Sequence, residues 1–473
     1  MSKLNQKNKL QYHVEQFLAD VFFHQKKPTA SLLLAYSGGL DSTVLLHLLA
    51  NLRQALHFNL TAAHIHHGLS RNADSWAEFC LATCTTLNLS LQTTRVKIPA
   101  DNDLGIEAAA RRLRYDALFE STADYICLAQ HQDDQAETLL LQLARGAGVK
   151  GLSAMAAIDY QRRLLRPLLN VSRADLLSYA QQNNLTWIED ESNQNTKFNR
   201  NFIRHNILPV LNTRYPAITK TLARSATHLA EAATLLDELA ALDALKGLEN
   251  EALNIGLLQA STASRARNLL RWWIAKKTQV MGKRLEFDTL MPNNLIPSTE
   301  LLTQIFTQLT QAKVDAKIEI VLAKTSDSII SIRRYQGFAY MTNIPKVKPQ
   351  HYNIIWQGEP SLTLPDNSQL IFTQQLGCGL ALKHLAIQKL RISYRQGGER
   401  FKPDANRPTR TLKHLLQKIN MPPWQREWCP LIYLNEKLVL VPSLGVSTGM
   451  EARNDEIGYS LVWQQSNLFD SYI

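Results

Sequence analysis

Ser31-Leu-Leu-Leu-Ala-Tyr36 runs directly into Ser37-Gly38-Gly39-Leu40-Asp41-Ser42, and then into Thr43-Val-Leu-Leu-His-Leu-Leu49. The first run is short and continuously apolar, which predicts a strand buried on both faces. The last predicts a helix over Ser42–Leu49. Between them, two adjacent glycines let the backbone turn sharply and approach a ligand closely. The helix start behind them offers unpaired N–H groups and the positive end of a dipole. Ser37 and Ser42 add hydroxyls. Strand, glycine loop and helix in this order make a phosphate cradle. The competing reading is a tight turn capped by Asp41 or Ser42. A Walker A loop is excluded, because its lysine is missing.

Outward from this loop, Leu60–Ile65, Leu89–Val96 and Tyr125–Ala129 read as strands. Ser75–Leu87, Ile106–Phe119 and Gln135–Arg145 read as helices. Strands alternating with helices predict an α/β fold, with a Rossmann-like parallel sheet over residues 1–215 and ligands at the carboxyl ends of its strands. Pro216 marks a change to an α-rich middle domain over 216–344. Leu222, Leu229, Leu236, Leu239, Leu242 and Leu245 form a helical stripe read as core packing. Helices are expected at Ser264–Lys277 and Ser298–Leu309, and β pattern beyond about residue 315. Four prolines (Pro345, Pro349, Pro360, Pro365) make 345–384 a linker with short strands. Residues 385–473 read as a small α+β domain.

The chain has 473 residues, 45% hydrophobic and 20% charged, which is ordinary for globular domains. Fifty-two Lys and Arg against 41 Asp and Glu leave a net charge of +11, with a pI of about 9.3. That balance favours an anionic partner. No apolar run approaches the roughly 20 residues that cross a bilayer, and the first residues lack the apolar core of a signal peptide. Five scattered cysteines (Cys80, Cys84, Cys127, Cys378, Cys429) argue against a disulfide framework and for the cytoplasm.

Asp133 and Asp134 follow the strand Tyr125–Ala129, on the same sheet edge as the glycine loop. Adjacent carboxylates beside phosphates suit Mg²⁺, Asp134 can instead take a proton from an amine, and the alternative is a helix start carrying acids for the dipole. Glu137 lies three residues on, on the same helix face as Asp134, placed to hold an ammonium or to bond an arginine. Arg200, Asn201 and Arg204 follow the acidic stretch Glu189–Glu191. Their guanidiniums suit phosphoryl charge or RNA phosphates, or else pair with those acids. Gly146–Gly151 matches GxGxxG but follows a helix, so it reads as helix termination. His64, His66, His67, Cys80 and Cys84 lack the spacing of a zinc site. Between Arg391 and Arg426 there are nine cations (Arg391, Arg395, Arg400, Lys402, Arg407, Arg410, Lys413, Lys418, Arg426) against Glu399 and Asp404, a net +7. Tyr394, Phe401 and Trp424 are interleaved. This predicts an RNA surface using phosphate contacts and base stacking, the alternative being a solvated basic face over core aromatics. Arg265, Arg267, Arg271, Lys276 and Lys277 near Trp272 and Trp273 extend it.

Ser37–Ser42 resembles the SGGxDS loop of the PP-loop ATP pyrophosphatases. Further segments resemble, in order, the tRNA(Ile)-lysidine synthase family of that group. They are His64–Leu69, Glu107–Tyr115 (with Arg111 and Arg114 on matching positions), Ala129–Thr138, Arg145–Met155, Trp187–Arg204, Arg333–Tyr340 and Arg395–Trp424. One departure is Gln130, where that family usually has His; His131 remains. The resemblance implies ATP-dependent ligation of free L-lysine to C2 of the wobble cytidine of a tRNA(Ile) with a CAU anticodon, through an adenylated base. The product reads AUA instead of AUG. It further implies that Ser37, Gly38, Gly39, Leu40, Asp41 and Ser42 hold the pyrophosphate, with Mg²⁺ near Asp41 and Asp134. Asp41, Asp134, Glu137 and Arg204 are the expected catalytic residues. Arg111, Arg114, His131, Arg200, Arg395, Lys402 and Lys413 are expected to contact substrate or RNA. Membrane binding is not expected, and a homodimer stays open. The alternatives are a PP-loop tRNA thiolase, against which the lack of CxxC counts, and an RNA-binding module with a vestigial loop.

Overall fold

β1 (Ser31–Ala35) buries its leucines on both sides of the sheet. Leu32 and Leu34 enter one apolar layer with Val14, Leu45, Leu49 and Tyr179, while Leu33 enters another with Leu118, Ile126 and Leu164. A strand covered on both faces has no polar positions to alternate, hence the unbroken apolar run. The structure, a computed structural model, describes residues 3–25, 29–68, 70–98, 106–249, 252–284, 297–313, 316–325, 327–347, 352–384, 389–403, 405–406 and 408–464. The chain divides into two units, Met1–Leu236 and Asp237–Ile473.

The N-terminal unit runs α1 (Lys3–Gln25), β1, α2 (Leu40–Leu52), β2 (Asn59–His66), α3 (Ala73–Thr86), β3 (Leu91–Arg95), α4 (Ile106–Phe119) and β4 (Tyr125–Cys127). It continues with α5 (Gln132–Ala144), α6 (Val149–Leu152), β5 (Ile158–Asp159), β6 (Leu164–Leu165), α7 (Arg173–Gln182), α8 (Asn199–Phe202) and α9 (Leu208–Arg214). The sheet order is β3-β2-β1-β4-β6-β5, parallel except for the edge strand β5. The chain winds outward from β1 to β3 and then returns to β4 on the other side of β1. The crevice between the carboxyl ends of β1 and β4 is therefore a topological switch point, where such sheets bind ligands. The sequence reading missed α1, whose Leu10, Val14, Leu18 and Val21 recur at helical spacing and pack on the sheet.

α10 (Ile218–Ala244) carries the division between the two units inside it, at Leu236/Asp237, while the boundary expected at 215/216 falls in the turn that precedes this helix. Pro216 precedes a helix start, a position that tolerates proline. The leucine stripe is also corrected. Leu242 is 60% and Leu245 83% exposed, and the buried face is made by Ala223, Ala226, Ala240 and Ala244. The middle region continues with β7 (Leu248–Glu249), β8 (Ala252–Asn254), α11 (Ile255–Ala260), α12 (Ala263–Arg284), α13 (Thr299–Gln311), β9 (Glu319–Lys324), β10 (Ser328–Tyr335) and β11 (Phe338–Pro345). Ser298 caps α13 by accepting from Leu301 N. Trp273, Ile274, Leu302 and Ile305 of the helices pack against Ile320, Ile330 and Ile332 of the strands.

The last region holds β12 (Asn353–Ile355), β13 (Ser361–Thr363), β14 (Gln369–Leu376), β15 (Leu380–Ala381), β16 (Leu390–Tyr394), β17 (Arg400–Phe401), β18 (Arg410–Thr411), α14 (Leu412–Lys418), α15 (Pro423–Trp428), β19 (Pro430–Leu434), β20 (Lys437–Val441), β21 (Gly445–Val446) and β22 (Ile457–Gln464). Here the short strands expected between residues 345 and 384 are present, and they belong to sheets rather than to a linker. β12 pairs with β16, and β14 pairs with β22 along its whole length, from Gln369↔Gln464 to Leu376↔Ile457. Pro360 and Pro365 fall between strands, and Pro345 is the last residue of β11, opposite Ser328, positions where sheets admit proline; Pro349 lies outside the described residues.

Candidate active site at the carboxyl ends of β1 and β4

Gly38 has φ +80, and a Cβ there would meet Ile188 Cδ1 at 2.5 Å. Two independent constraints thus require glycine at 38. Gly39 has φ −72 and serves as N-cap of α2 with no side-chain hydrogen bond. The first intrahelical bond of α2 runs from Thr43 N to Gly39 O, at 2.9 Å. The amides of Leu40, Asp41 and Ser42 have no acceptor inside the helix, the arrangement that binds an anion. Ser37 Oγ and Ser42 Oγ lie 3.1 Å apart, and Ser42 Oγ donates to Gly39 O at 3.0 Å. The loop is shaped from outside by Ile188, whose N–H donates to Gly38 O at 2.9 Å. Ile188 was not singled out from sequence; its place beside Trp187 and Glu189 was the only signal.

Beyond β4, α5 brings a second set of groups to the crevice. His131 is the N-cap residue, and its backbone N–H donates to Asp134 Oδ2 at 2.9 Å. Its buried ring lies 3.5 Å from Asp41 Oδ2, Asp133 Oδ2 and Asp134 Oδ2. Burial alone would lower its pKa, but Asp133, Asp41 and Asp134 outweigh it and push it up to about 10. The three carboxylates thus favour the imidazolium form of His131, whose ring bridges the glycine loop and α5.

Asp134 and Glu137 are buried side by side and meet two arginines from outside the sheet. Arg200 Nη2 donates to Asp134 Oδ1 at 2.8 Å, and Arg200 Nε to Glu137 Oε2 at 2.7 Å. Arg204 Nε donates to Glu137 Oε1 at 2.6 Å, and its Nη2 to Glu137 Oε2 at 3.0 Å. The arginines take these carboxylates rather than Glu189–Glu191; Glu191 accepts instead from the Ser70 hydroxyl. Both guanidiniums are desolvated, but the carboxylates hold their pKa values above the ordinary one. The helix is locally widened: Ile203–Ile207 is a π turn closed by Leu208 N–H to Ile203 O. Pro209 follows, and a proline cannot continue an α ladder without clashing with the carbonyl four residues back.

Gln130, at the position of the departure, accepts from Arg166 Nε at 2.9 Å through its side-chain oxygen. Buried Arg166 also donates to Ala156 O. Arg111 and Arg114 are exposed on α4, with the Arg111 guanidinium 5.3 Å from the Tyr115 ring. Burial would raise the Tyr115 phenol, but Arg111, Arg166 and Arg114 hold it below its usual value. Gly146 has φ +69 just past the end of α5, as expected of a helix stop. Burial pushes the Cys80 thiol up to about 12, so it is no thiolate. Among the described residues no group of three or more His, Cys, Asp and Glu is arranged to hold a metal. The same residues include no helix long and apolar enough to cross a membrane.

In the C-terminal region, Lys413, Lys418, Arg400 and Arg410 are exposed, while Lys402 is half-buried. Arg395 pairs with Glu399 at 3.3 Å. Arg426 is buried, donating to Met421 O and the Tyr335 hydroxyl. Arg407 and Asp404 lie outside the described residues. The three aromatics expected to stack on RNA, Tyr394, Phe401 and Trp424, are all buried in the core. Trp424 packs against Tyr335 and Tyr340, so the aromatics follow the apolar pattern and only the cations reach solvent.

An uncapped helix start behind a glycine loop at a switch point, facing acidic and arginine side chains, defines an ATP-using enzyme of the PP-loop class. A PP-loop domain is matched over residues 6–211, a TilS substrate binding domain over 253–340 and a TilS substrate C-terminal domain over 390–463. The chain is 38% identical to the tRNA(Ile)-lysidine synthase of Nitrosomonas europaea over 461 residues, covering 95% of this chain and 96% of the relative. It is 40% identical to that of Coxiella burnetii over 434 residues, covering 90% and 92%. The chain belongs to the tRNA(Ile)-lysidine synthase family.

Proposed function

We infer that this chain is an ATP-dependent ligase that joins free L-lysine to C2 of the wobble cytidine of tRNA(Ile), in the cytoplasm. The observation that carries the reading is the uncapped start of α2 at the switch point, beside Asp41 and the α5 carboxylates. In the first step the cytosine O2 attacks the α-phosphorus of ATP, and pyrophosphate leaves into the amides of residues 40–42. In the second the lysine ε-amine, freed of its proton, attacks C2. The C2–O bond breaks and AMP departs with that oxygen. Arg200 and Arg204 suit the charge that gathers on phosphorus. Both oxygens of Glu137 are committed to these arginines, so we assign Glu137 as a positioning residue rather than as the holder of lysine. Asp134 is committed in the same way, to His131 N–H and the arginines, which leaves Asp133 as the candidate to receive the proton.

Asp41 Oδ1 is buried without a hydrogen-bond partner, which suits an oxygen-seeking cation such as Mg²⁺. Asp134 has its oxygens taken by His131 N–H and the arginines, so Asp41 is the better ligand, with phosphate oxygens and water completing the shell. A bound Mg²⁺ would offset the charge of the phosphates. A thiolase reading is disfavoured because the sequence has no CxxC pair and four of its five cysteines, Cys80, Cys84, Cys127 and Cys429, are buried with their thiols held above the usual range, Cys378 alone being exposed. The test is incubation with labelled lysine, ATP and a tRNA(Ile) transcript, omitting each in turn. Label enters RNA only with all three present, and nucleoside mass identifies lysidine. Label that enters without ATP, or a thiolated base, refutes the reading.

A further inference from the structure

Between Glu191 and Glu231 the chain has six Lys and Arg residues and no Asp or Glu. Two of the six, Arg200 and Arg204, are spent on Asp134 and Glu137. The other four (Lys197, Arg214, Lys220 and Arg224) are exposed and pair with no carboxylate among the described residues. The same stretch exposes large apolar side chains. Phe202 is 45%, Val210 67% and Tyr215 57% exposed. The Arg214 guanidinium lies over the Tyr215 ring at 5.8 Å. Phe202 sits between buried Asn201 and buried Ile203, and two residues from each inward-turned arginine. Two residues along a helix is about 200° of rotation. Phe202 is therefore on the outer side of the segment whose inner side builds the site.

We propose that the outer side of residues 197–224 is an RNA-contacting surface of this enzyme, on which Phe202 stacks against a nucleotide next to the cytidine being modified. The proposal rests on the tRNA reading above. A helix with its side chains is about 10 Å across, so Phe202 addresses a neighbour of the reacting base, not that base itself. A reacting cytosine must be splayed from its loop, and the bases it leaves behind need a new stacking partner. Cations interleaved with exposed aromatics, and no acid, complement a single strand of phosphates and bases. A second copy of the chain docked symmetrically on this face would bring like charges together.

The test uses a tRNA(Ile) transcript with 2-aminopurine replacing the adenosine that follows the wobble cytidine. Binding to the unaltered enzyme quenches the fluorescence by stacking. Phe202→Ala loses the quench and raises the KM for tRNA about tenfold, with kcat, ATP affinity and unfolding midpoint unchanged. Phe202→Trp restores both quench and KM, and Phe202→Leu restores neither. The proposal is overturned if Phe202→Ala keeps quench and KM, or if Phe202→Leu behaves as the unaltered protein, which would mean packing rather than stacking. A loss of self-association in sedimentation of Phe202→Ala would assign the face to a second copy and also overturn it. Failure of the function reading shows separately, as absence of lysidine with the unaltered enzyme.

Discussion

Two stretches of this chain are strongly basic, and they spend their charge differently. In 192–230, Arg200 and Arg204 reach buried carboxylates of another element and build a neutral, desolvated network. In 391–426, Arg391, Arg395 and Arg426 are used inside their own domain, on Asn353, Glu399 and Met421. Lys413, Lys418, Arg400 and Arg410 remain at the surface. A cation count therefore overstates the charge available to RNA by whatever the fold consumes. Buried pairs resist losing one partner, because the other is left charged in a poor solvent. Exposed cations act on phosphates through counterion release and tolerate removal singly.

This contrast can be broken at several points. The largest effect is expected at Glu137. Glu137→Ala strips both arginines of their main partner and should cost about 3–5 kcal/mol in urea unfolding, with loss of lysidine formation. Glu137→Gln keeps the shape and should cost less. An alanine variant as stable as the parent would end the account of the buried network. Next, Trp424→Ala should cost about 3 kcal/mol in unfolding, because this aromatic of the basic stretch lies in the core. If stability holds and only tRNA binding falls, the ring is an RNA contact after all.

At the loop, Asp41→Asn should slow tRNA-dependent exchange of pyrophosphate into ATP by about 100-fold, while tRNA retention on filters stays the same. At the other extreme, Lys413→Gln with Lys418→Gln should reduce the slope of log affinity for tRNA against log salt by about 2 and leave folding intact. Removing 385–473 outright is a poorer probe, since it strips β16 and β22 from sheets that contain β12 and β14. The mildest effect concerns pH. The folded pKa of His131 lies above its ordinary 6.5, at about 10. Its stabilising contribution is complete below pH 6.5 and is lost as pH rises through about 10. Unfolding free energy should decline over that window in the parent and less so in His131→Asn; equal slopes would mean that the three carboxylates do not hold the proton.

Much of the catalytic half was legible because its signals are local. The apolar run at 31–36, the glycines at 38 and 39 and the acids at 133, 134 and 137 each report on their own few residues. The partners of Arg200 and Arg204 were not legible. Nearby Glu189–Glu191 looked adequate, and only the crossing of α8 over α5 brings Glu137 within reach. The pairing of the short strands expected in 345–384 was hidden for a related reason. Short segments separated by prolines look like linker until β22, some ninety residues away, pairs with β14.

Taken alone, the order of residues determined the strand–loop–helix cradle, the alternation that builds a parallel sheet, and the net positive charge. These follow from backbone sterics, helix-end chemistry and counting, all of which act over a few residues. Tertiary structure decided which cations are free, which aromatics are core, where the units divide and which face of residues 197–224 meets solvent. Each of those depends on burial and on charge partners distant in sequence, and the cost of leaving a buried charge unpaired is settled only when the chain has closed on itself.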